Sequence, residues 1–208
     1  VAKVREVDWS PVRRFYLEKF QRYQDSPLSL GWNSRESQEL RYRIFLEIEQ
    51  FTPKKIGPGA SLLDLGCGLG HLADFLERRE IEVSYTGIDI IPEFIEAAKK
   101  RSPKHEFQCK DLLRERINQK FDFVFIAGSF NVQMGSNEQM ARELLKISYG
   151  LCNCGVAISM LSSRHGCSDE SLYCFDPEET HKFCRGLARE AILREDYLDT
   201  DFTIYLIR

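Results

Sequence analysis

Asp64-Leu65-Gly66-Cys67-Gly68-Leu69-Gly70 is the stretch whose reading decides the fold. It closes an apolar run, Ser61 to Leu65, that reads as a buried strand, and it opens onto His71-Leu72-Ala73, where helical spacing begins. Glycines in such a turn let a ligand approach the backbone, because they carry no Cβ. In an open α/β sheet, ligands bind at the C-terminal edge of the strands, near the switch point. Two kinds of ligand compete for the turn. A dinucleotide site requires G-x-G-x-x-G, yet counting from Gly66 the last position is His71 and the third glycine comes one residue early, at Gly70. Asp64 also precedes the first glycine by two residues, where a carboxylate repels a pyrophosphate and attracts an ammonium group.

Outward from the turn, strands and helices alternate. Val83–Ile88 is predicted as a second strand and Glu106–Cys109 as a short third. Phe121–Ala127 is the fourth and Val156–Leu161 the fifth. Pro92 suits the first turn of a helix that continues through Phe94, Ile95 and Ala98. Ser136 with Gln139 forms a capping-box pattern before Met140, Leu144, Leu145 and Leu151. Asp176-Pro177-Glu178-Glu179 starts another helix, with Phe183, Leu187 and Ala191 behind it. Ile192–Tyr197 and Phe202–Ile207 lie too close for a crossover helix and are expected as an antiparallel hairpin. The alternation implies an α/β fold: a seven-stranded, mostly parallel sheet with helices on both faces.

The run from Thr52 to Ala60, with Gly57-Pro58-Gly59, reads as a loop that divides an N-terminal helical cap, residues 1–55, from an alternating body, residues 56–208. Two helices are predicted in the cap. One runs from about Pro11 to Tyr23. The other follows Gly31-Trp32, with Asn33 as cap and Glu36 three residues on, and carries Leu40, Ile44, Phe45, Ile48 and Phe51 on one face.

Several motifs together resemble the class I S-adenosylmethionine-dependent methyltransferases, over about Ile56 to Arg208. Their first motif, an acidic residue followed by x-G-x-G-x-G, is matched in full by Asp64 to Gly70. Their second strand ends in an acidic residue, as Gly87-Ile88-Asp89 does. Cys109-Lys110-Asp111-Leu112 matches the end of their third strand, and Phe121-Asp122-Phe123-Val124-Phe125 their fourth. The resemblance implies a Rossmann-like fold with a closing antiparallel hairpin, S-adenosylmethionine as cofactor and S-adenosylhomocysteine as product. It implies that Asp64 balances the positive charge of the ligand and that Gly66, Cys67 and Gly68 border its methionine part. Asp89 lies 23 residues after Gly66, near the roughly 20 expected of a carboxylate that grips ribose hydroxyls. Ile90 is expected on the adenine face, Asp111 on the adenine amino group and the Leu112 amide on a ring nitrogen, with Gly128 at the fourth-strand exit completing the set. Families of this kind often fold an N-terminal helix over the cofactor. Gln38 and Arg41 share a helical face, and Arg41 is expected to pair with the cofactor carboxylate. Trp9 and Trp32 are candidates to close the pocket.

The acceptor is expected beyond strand four, near Ser129-Phe130-Asn131, beneath the long loop Ser162 to Phe175. That loop supplies His165 as candidate base and Tyr173 as a wall or second catalytic candidate. The fourth-strand exit, Ala127-Gly128-Ser129-Phe130-Asn131, lacks the Asn/Asp-Pro-Pro-aromatic motif of enzymes that methylate exocyclic base amines, which disfavours DNA. Net charge is −3, and residues 165–208 carry twice as many acidic as basic groups, whereas 1–55 are net basic. An acidic substrate side argues against nucleic acid and for a small or cationic acceptor; transfer to an O or N atom of a small molecule is expected. Rivals are a protein or RNA methyltransferase, an aminopropyl-transferring relative, a nicotinamide oxidoreductase and a non-catalytic module that binds the same cofactor. No apolar run reaches 18 residues, so no membrane span is expected. Val1 to Ser10 has no apolar signal core, and seven scattered cysteines read as reduced thiols, so the cytoplasm is the expected compartment. Cys152, Cys154, His165 and Cys167 match no common zinc spacing, so no metal is expected. Monomer and homodimer both remain open.

Overall fold

The computed structural model describes residues 7–167 and 169–208; the first six residues of the stretch read as lacking a signal core lie outside them. Seven strands form one sheet: β1 (Ser61–Leu65), β2 (Ser84–Asp89), β3 (Glu106–Cys109), β4 (Phe121–Ala127), β5 (Cys152–Leu161), β6 (Glu190–Arg194) and β7 (Asp201–Ile207). Their order is β3-β2-β1-β4-β5-β7-β6. The first five run parallel, and β7 enters antiparallel between β5 and β6. The order reverses at β1, so the switch point opens between β1 and β4.

Period-two alternation splits the core into two layers. Leu62, Phe123, Phe125 and Tyr205 pack with Tyr42, Phe45, Phe75 and Ile95. These last come from α2 (Arg35–Leu46), α3 (His71–Arg78) and α4 (Pro92–Arg101). Leu63, Val124, Ile126 and Ile204 face the other way, onto Met140, Leu144 and Cys184 of α5 (Asn137–Leu151) and α6 (Pro177–Leu187). A third, small cluster joins Tyr16, Leu17 and Phe20 of α1 (Ser10–Tyr23) to Leu69, Ile91 and Phe94, at the C-terminal edge of the sheet.

Asp176 caps α6 as expected, its carboxylate accepting from the Glu178 and Glu179 amides. Two other caps differ. Ser34 rather than Asn33 caps α2, accepting from the Ser37 amide at 3.1 Å. Ser136 makes no capping bond; its neighbour Asn137 instead accepts from the Met134 amide at 2.8 Å and donates to the Phe130 and Val132 carbonyls at 2.9 and 2.6 Å. One amide side chain thus holds the chain that leaves β4. β6 also begins two residues before the predicted strand, so Ala191 pairs with Leu206 rather than continuing α6. Among the described residues no helix is long and apolar enough to cross a membrane.

The reading of seven free thiols is corrected at two positions. Cys167 and Cys174 form a disulfide, their Cα atoms 5.8 Å apart. The loop after β5 turns back on itself there, with Leu172 bridged to Val132 and Phe175 to Ser162. The other five cysteines are unpaired.

Candidate active site

A cavity open to solvent lies at the switch point, its free space, mouth included, about 870 Å³. Its floor is the turn after β1, the end of β2 and the loop after β3: Asp64 to Gly68, Ile88 to Ile91, and Lys110 to Leu112. The exit of β4 adds Ala127, Ser129 and Phe130. The roof comes from the N-terminal segment: Trp9, Val12 and Tyr16, then Leu30 and Trp32, then Gln38 and Tyr42 of α2. Of the residues singled out from the sequence, Asp64, Gly66, Cys67, Gly68, Asp89, Ile90, Asp111, Leu112 and Gln38 all border this one space.

The glycine turn is shaped by protein contacts before any ligand arrives. Gly66, Gly68 and Gly70 have φ of 78°, 53° and 75°, which side chains resist. A Cβ on Gly66 would strike the Ser129 side chain, and one on Gly68 would lie 2.8 Å from a Leu30 methyl. The glycines therefore admit Ser129 and Leu30, where the sequence reading had them admit the ligand. The turn amides are also occupied. Gly66 and Cys67 donate to the Ile88 carbonyl, and Gly68 donates to Asp89 Oδ2 at 2.9 Å. With these amides spent and three carboxylates bordering the space, the site is a poor cradle for pyrophosphate.

Asp89 is buried at the end of β2, and its second oxygen accepts from the Ile91 amide at 2.9 Å. Asp89 also borders the cavity, and a carboxylate can accept further donors beside these. Burial pushes its pKa up to about 6, with the amides of Ile91, Gly68 and Ile90 pulling the other way. Asp64 is more perturbed. Desolvation raises it to about 7; the Tyr85 hydroxyl, donating at 2.6 Å to Oδ2, lowers it, and the charge of Asp89 raises it further. Among the described residues its Oδ1 is buried without a partner, as is the side-chain nitrogen of Gln38. An unmatched acceptor and an unmatched donor on the border of one cavity fit an amino acid's ammonium and carboxylate. Asp111 is shared: Oδ2 accepts from Trp9 Nε1 at 2.7 Å and Oδ1 from the Leu113 amide at 2.9 Å. Trp9 thereby ties the roof to the floor across 102 residues of chain.

Four expectations fail. Arg41 does not border the cavity; its guanidinium grips Asp201 through two bonds, 2.7 and 2.6 Å long. Gly128 lies behind the lining, against the Trp32 ring. His165 is exposed, at the end of a short 3-10 turn (Ser163–His165) on the outer loop. Tyr173 packs on Phe175 and donates to Glu138 at 3.3 Å. Neither of the last two reaches the cavity, because the loop after β5 folds down onto Asn131 and Val132 rather than over the opening: the Tyr173 amide donates to the Asn131 carbonyl at 2.7 Å. Sequence reasoning missed Val12, Tyr16 and Tyr42. Tyr42 was within reach, four residues beyond Gln38 on the same helical face.

Comparison with known proteins agrees with this geometry. Residues 62–148 match the family model of a methyltransferase domain. Rv1506c of Mycobacterium tuberculosis, a protein named as a methyltransferase, is 31% identical over 154 residues, 69% of this chain and 90% of its own. The malonyl-[acyl-carrier protein] O-methyltransferase of Acetivibrio thermocellus is 39% identical over 71 residues, 33% of this chain but only 25% of that enzyme. In fold, the magnesium protoporphyrin IX methyltransferase ChlM of Synechocystis PCC 6803, solved with S-adenosylhomocysteine, superposes with a TM-score of 0.70 at 14% identity, over 97% of this chain and all of its own. The plantazolicin methyltransferase BpumL, solved with the same product, gives 0.69 at 18% identity over 95% of both chains. The acidic glycine turn, the carboxylates ending β2 and following β3, the sheet order and these likenesses lead to one assignment: the chain belongs to the class I S-adenosylmethionine-dependent methyltransferases.

Proposed function

We propose that this chain transfers a methyl group to an O or N atom of a small-molecule acceptor, and that the cavity at the switch point is where it does so. The observation that carries this reading is the pair of unpartnered buried atoms, Asp64 Oδ1 and Gln38 Nε2, beside the glycine turn. When bound, S-adenosylmethionine supplies a methyl already activated on a sulfonium, so no acid is needed to make it electrophilic.

In this proposal Asp64 accepts from the ammonium of the methionine part, and Gln38 donates to its carboxylate. Asp89 accepts from ribose hydroxyls while its two backbone bonds hold it still. Ile90 and Leu112 enclose the adenine, and Asp111 faces its amino group while also holding Trp9. The N-terminal segment serves as a lid through its described residues, 7–55: Trp9, Tyr16, Leu30 and Trp32 exclude water, which strengthens every charge contact beneath them. The acceptor enters where β4 ends, beside Ser129, Phe130 and Trp32. Ser129, Phe130 and Trp32 would hold its nucleophilic atom in line with the sulfonium methyl, whose bond to sulfur would break as the new bond forms, leaving S-adenosylhomocysteine; catalysis rests on alignment in a dry site. No role is assigned to His165 or Tyr173. An acidic C-terminal third supports a small acceptor over a nucleic acid. The proposed compartment is the cytoplasm, supported by five unpaired cysteines, with a thiol titration of the native protein testing the Cys167–Cys174 bridge.

The test is incorporation of label from methyl-labelled S-adenosylmethionine into fractions of a cell extract. Label in the small-molecule fraction is expected. Label confined to protein or RNA would overturn the choice of acceptor while leaving the family assignment intact.

A further inference from the structure

Arg41 is nearly fully buried, and four of its N–H contacts are spoken for. Two go to Asp201, at 2.7 and 2.6 Å, and two from the same nitrogen to the Ser37 carbonyl and hydroxyl, at 2.7 and 2.8 Å. Its guanidinium carbon also lies 4.7 Å from the centre of the Trp32 ring. The far edge of that ring sits on Gly128: a Cβ there would come within 3.0 Å of Trp32 Cη2 and 3.3 Å of Asn131 Nδ2. Trp32 is therefore held between a fixed cation and a glycine that leaves it room, at the point where β4 opens into the cavity. Asp201, which begins β7, lies 160 residues from Arg41 and also accepts from the Thr200 hydroxyl at 2.8 Å.

We infer that Arg41 and Asp201 are positioning residues that act through Trp32, which forms the acceptor-side wall of the cavity, and that Arg41 is not a ligand of the cofactor carboxylate. The inference rests on the site assignment above. A planar guanidinium bound on two edges by a carboxylate and a helical carbonyl presents a flat, rigid surface. An indole held against it and against Gly128 keeps one orientation, which is what a wall shaping in-line approach requires. Lysine at position 41 would lack both the fork and the flat face.

Fluorine NMR of fluorotryptophan-labelled protein gives one signal for Trp9 and one for Trp32, assigned with W9F and W32F. Calorimetry with S-adenosylhomocysteine measures the cofactor site in the same samples. Removing one partner of a buried pair risks unfolding, so the informative variant is Arg41→Met/Asp201→Leu, which replaces the pair by apolar groups of similar volume. Arg41→Lys tests whether charge alone suffices. In both, the Trp32 signal is expected to shift or broaden while the Trp9 signal stays, and product affinity is expected to remain within twofold of wild type. A loss of about tenfold or more in affinity with an unmoved Trp32 signal would overturn the inference and return Arg41 to the cofactor carboxylate. Failure of the wild type to bind the product at all would strike the site assignment instead, and the response of Trp32 to the Arg41 variants would still be read.

Discussion

The floor and the roof of the cavity are built in different ways. The floor is local: Asp64 to Gly70, Asp89 and Asp111 sit at consecutive strand ends, and each carboxylate is fixed by backbone amides or a neighbouring strand's side chain. The roof is long-range. Trp9 reaches Asp111 across 102 residues and Arg41 reaches Asp201 across 160. The floor is set by strand order and the roof by distant pairs. The two are joined where Trp9 donates to Asp111.

The largest effect should come from the floor. Asp89→Ala removes an acceptor of two backbone amides and of the ribose, and affinity for S-adenosylhomocysteine should fall by at least about a hundredfold, about 3 kcal/mol. Circular dichroism should show the sheet retained; retained affinity would remove Asp89 from the site.

Asp64→Asn should weaken binding by about tenfold and also change its pH dependence. The folded pKa of Asp64, about 7, lies above its unfolded value, so its contribution to stability is fully present below about pH 4 and is lost as pH rises through 7. A cationic ligand requires the ionised form. Binding to wild type should therefore tighten from pH 6 to 8 and release a proton at the lower end. The Asn variant should lose both the release and the slope, and should be the more stable protein at pH 8 without ligand. Calorimetry in buffers of different ionisation enthalpy reads the proton directly, and an unchanged slope would refute the role.

Roof changes should cost less. Gln38→Leu leaves no buried donor to satisfy, so thermal stability should hold or rise while product affinity drops by about fivefold, about 1 kcal/mol. Trp9→Phe breaks the contact to Asp111 and should speed both association and release of product in stopped-flow traces, with a smaller change in their ratio. His165→Ala should change product affinity less than twofold. A tenfold loss there would mean that the loop after β5 closes over the cavity, and the contrast between floor and roof would have to include it.

The same contrast explains what was legible in the sequence. The strands were readable where the signal is short-range: β1 and β4 are apolar runs buried on both faces, and they and β3 begin and end as expected. Asp64, Asp89 and Asp111, singled out through the family resemblance, all border the cavity. Gln38 borders the cavity and Arg41 does not, for one reason. Both sit on α2, but whether an arginine meets a ligand or a buried aspartate depends on where Asp201 arrives, and β7 carries no local mark of that. The Ser136 cap failed because Asn137 competes for the turn with better geometry. His165 and Tyr173 were read from loop length alone, which says that a loop has a task but not which way it folds. The Cys167–Cys174 bridge was hidden because chain class and compartment, rather than local spacing, governed the reading of cysteines.

Titration of the purified protein with S-adenosylhomocysteine at pH 8, beside NAD, tests the central claim most directly. One-to-one binding in the micromolar range for the first and no heat from the second is the expected result. Absence of binding by a protein shown to be folded, or binding of NAD in its place, would contradict the assignment of the glycine turn and its three carboxylates to this cofactor.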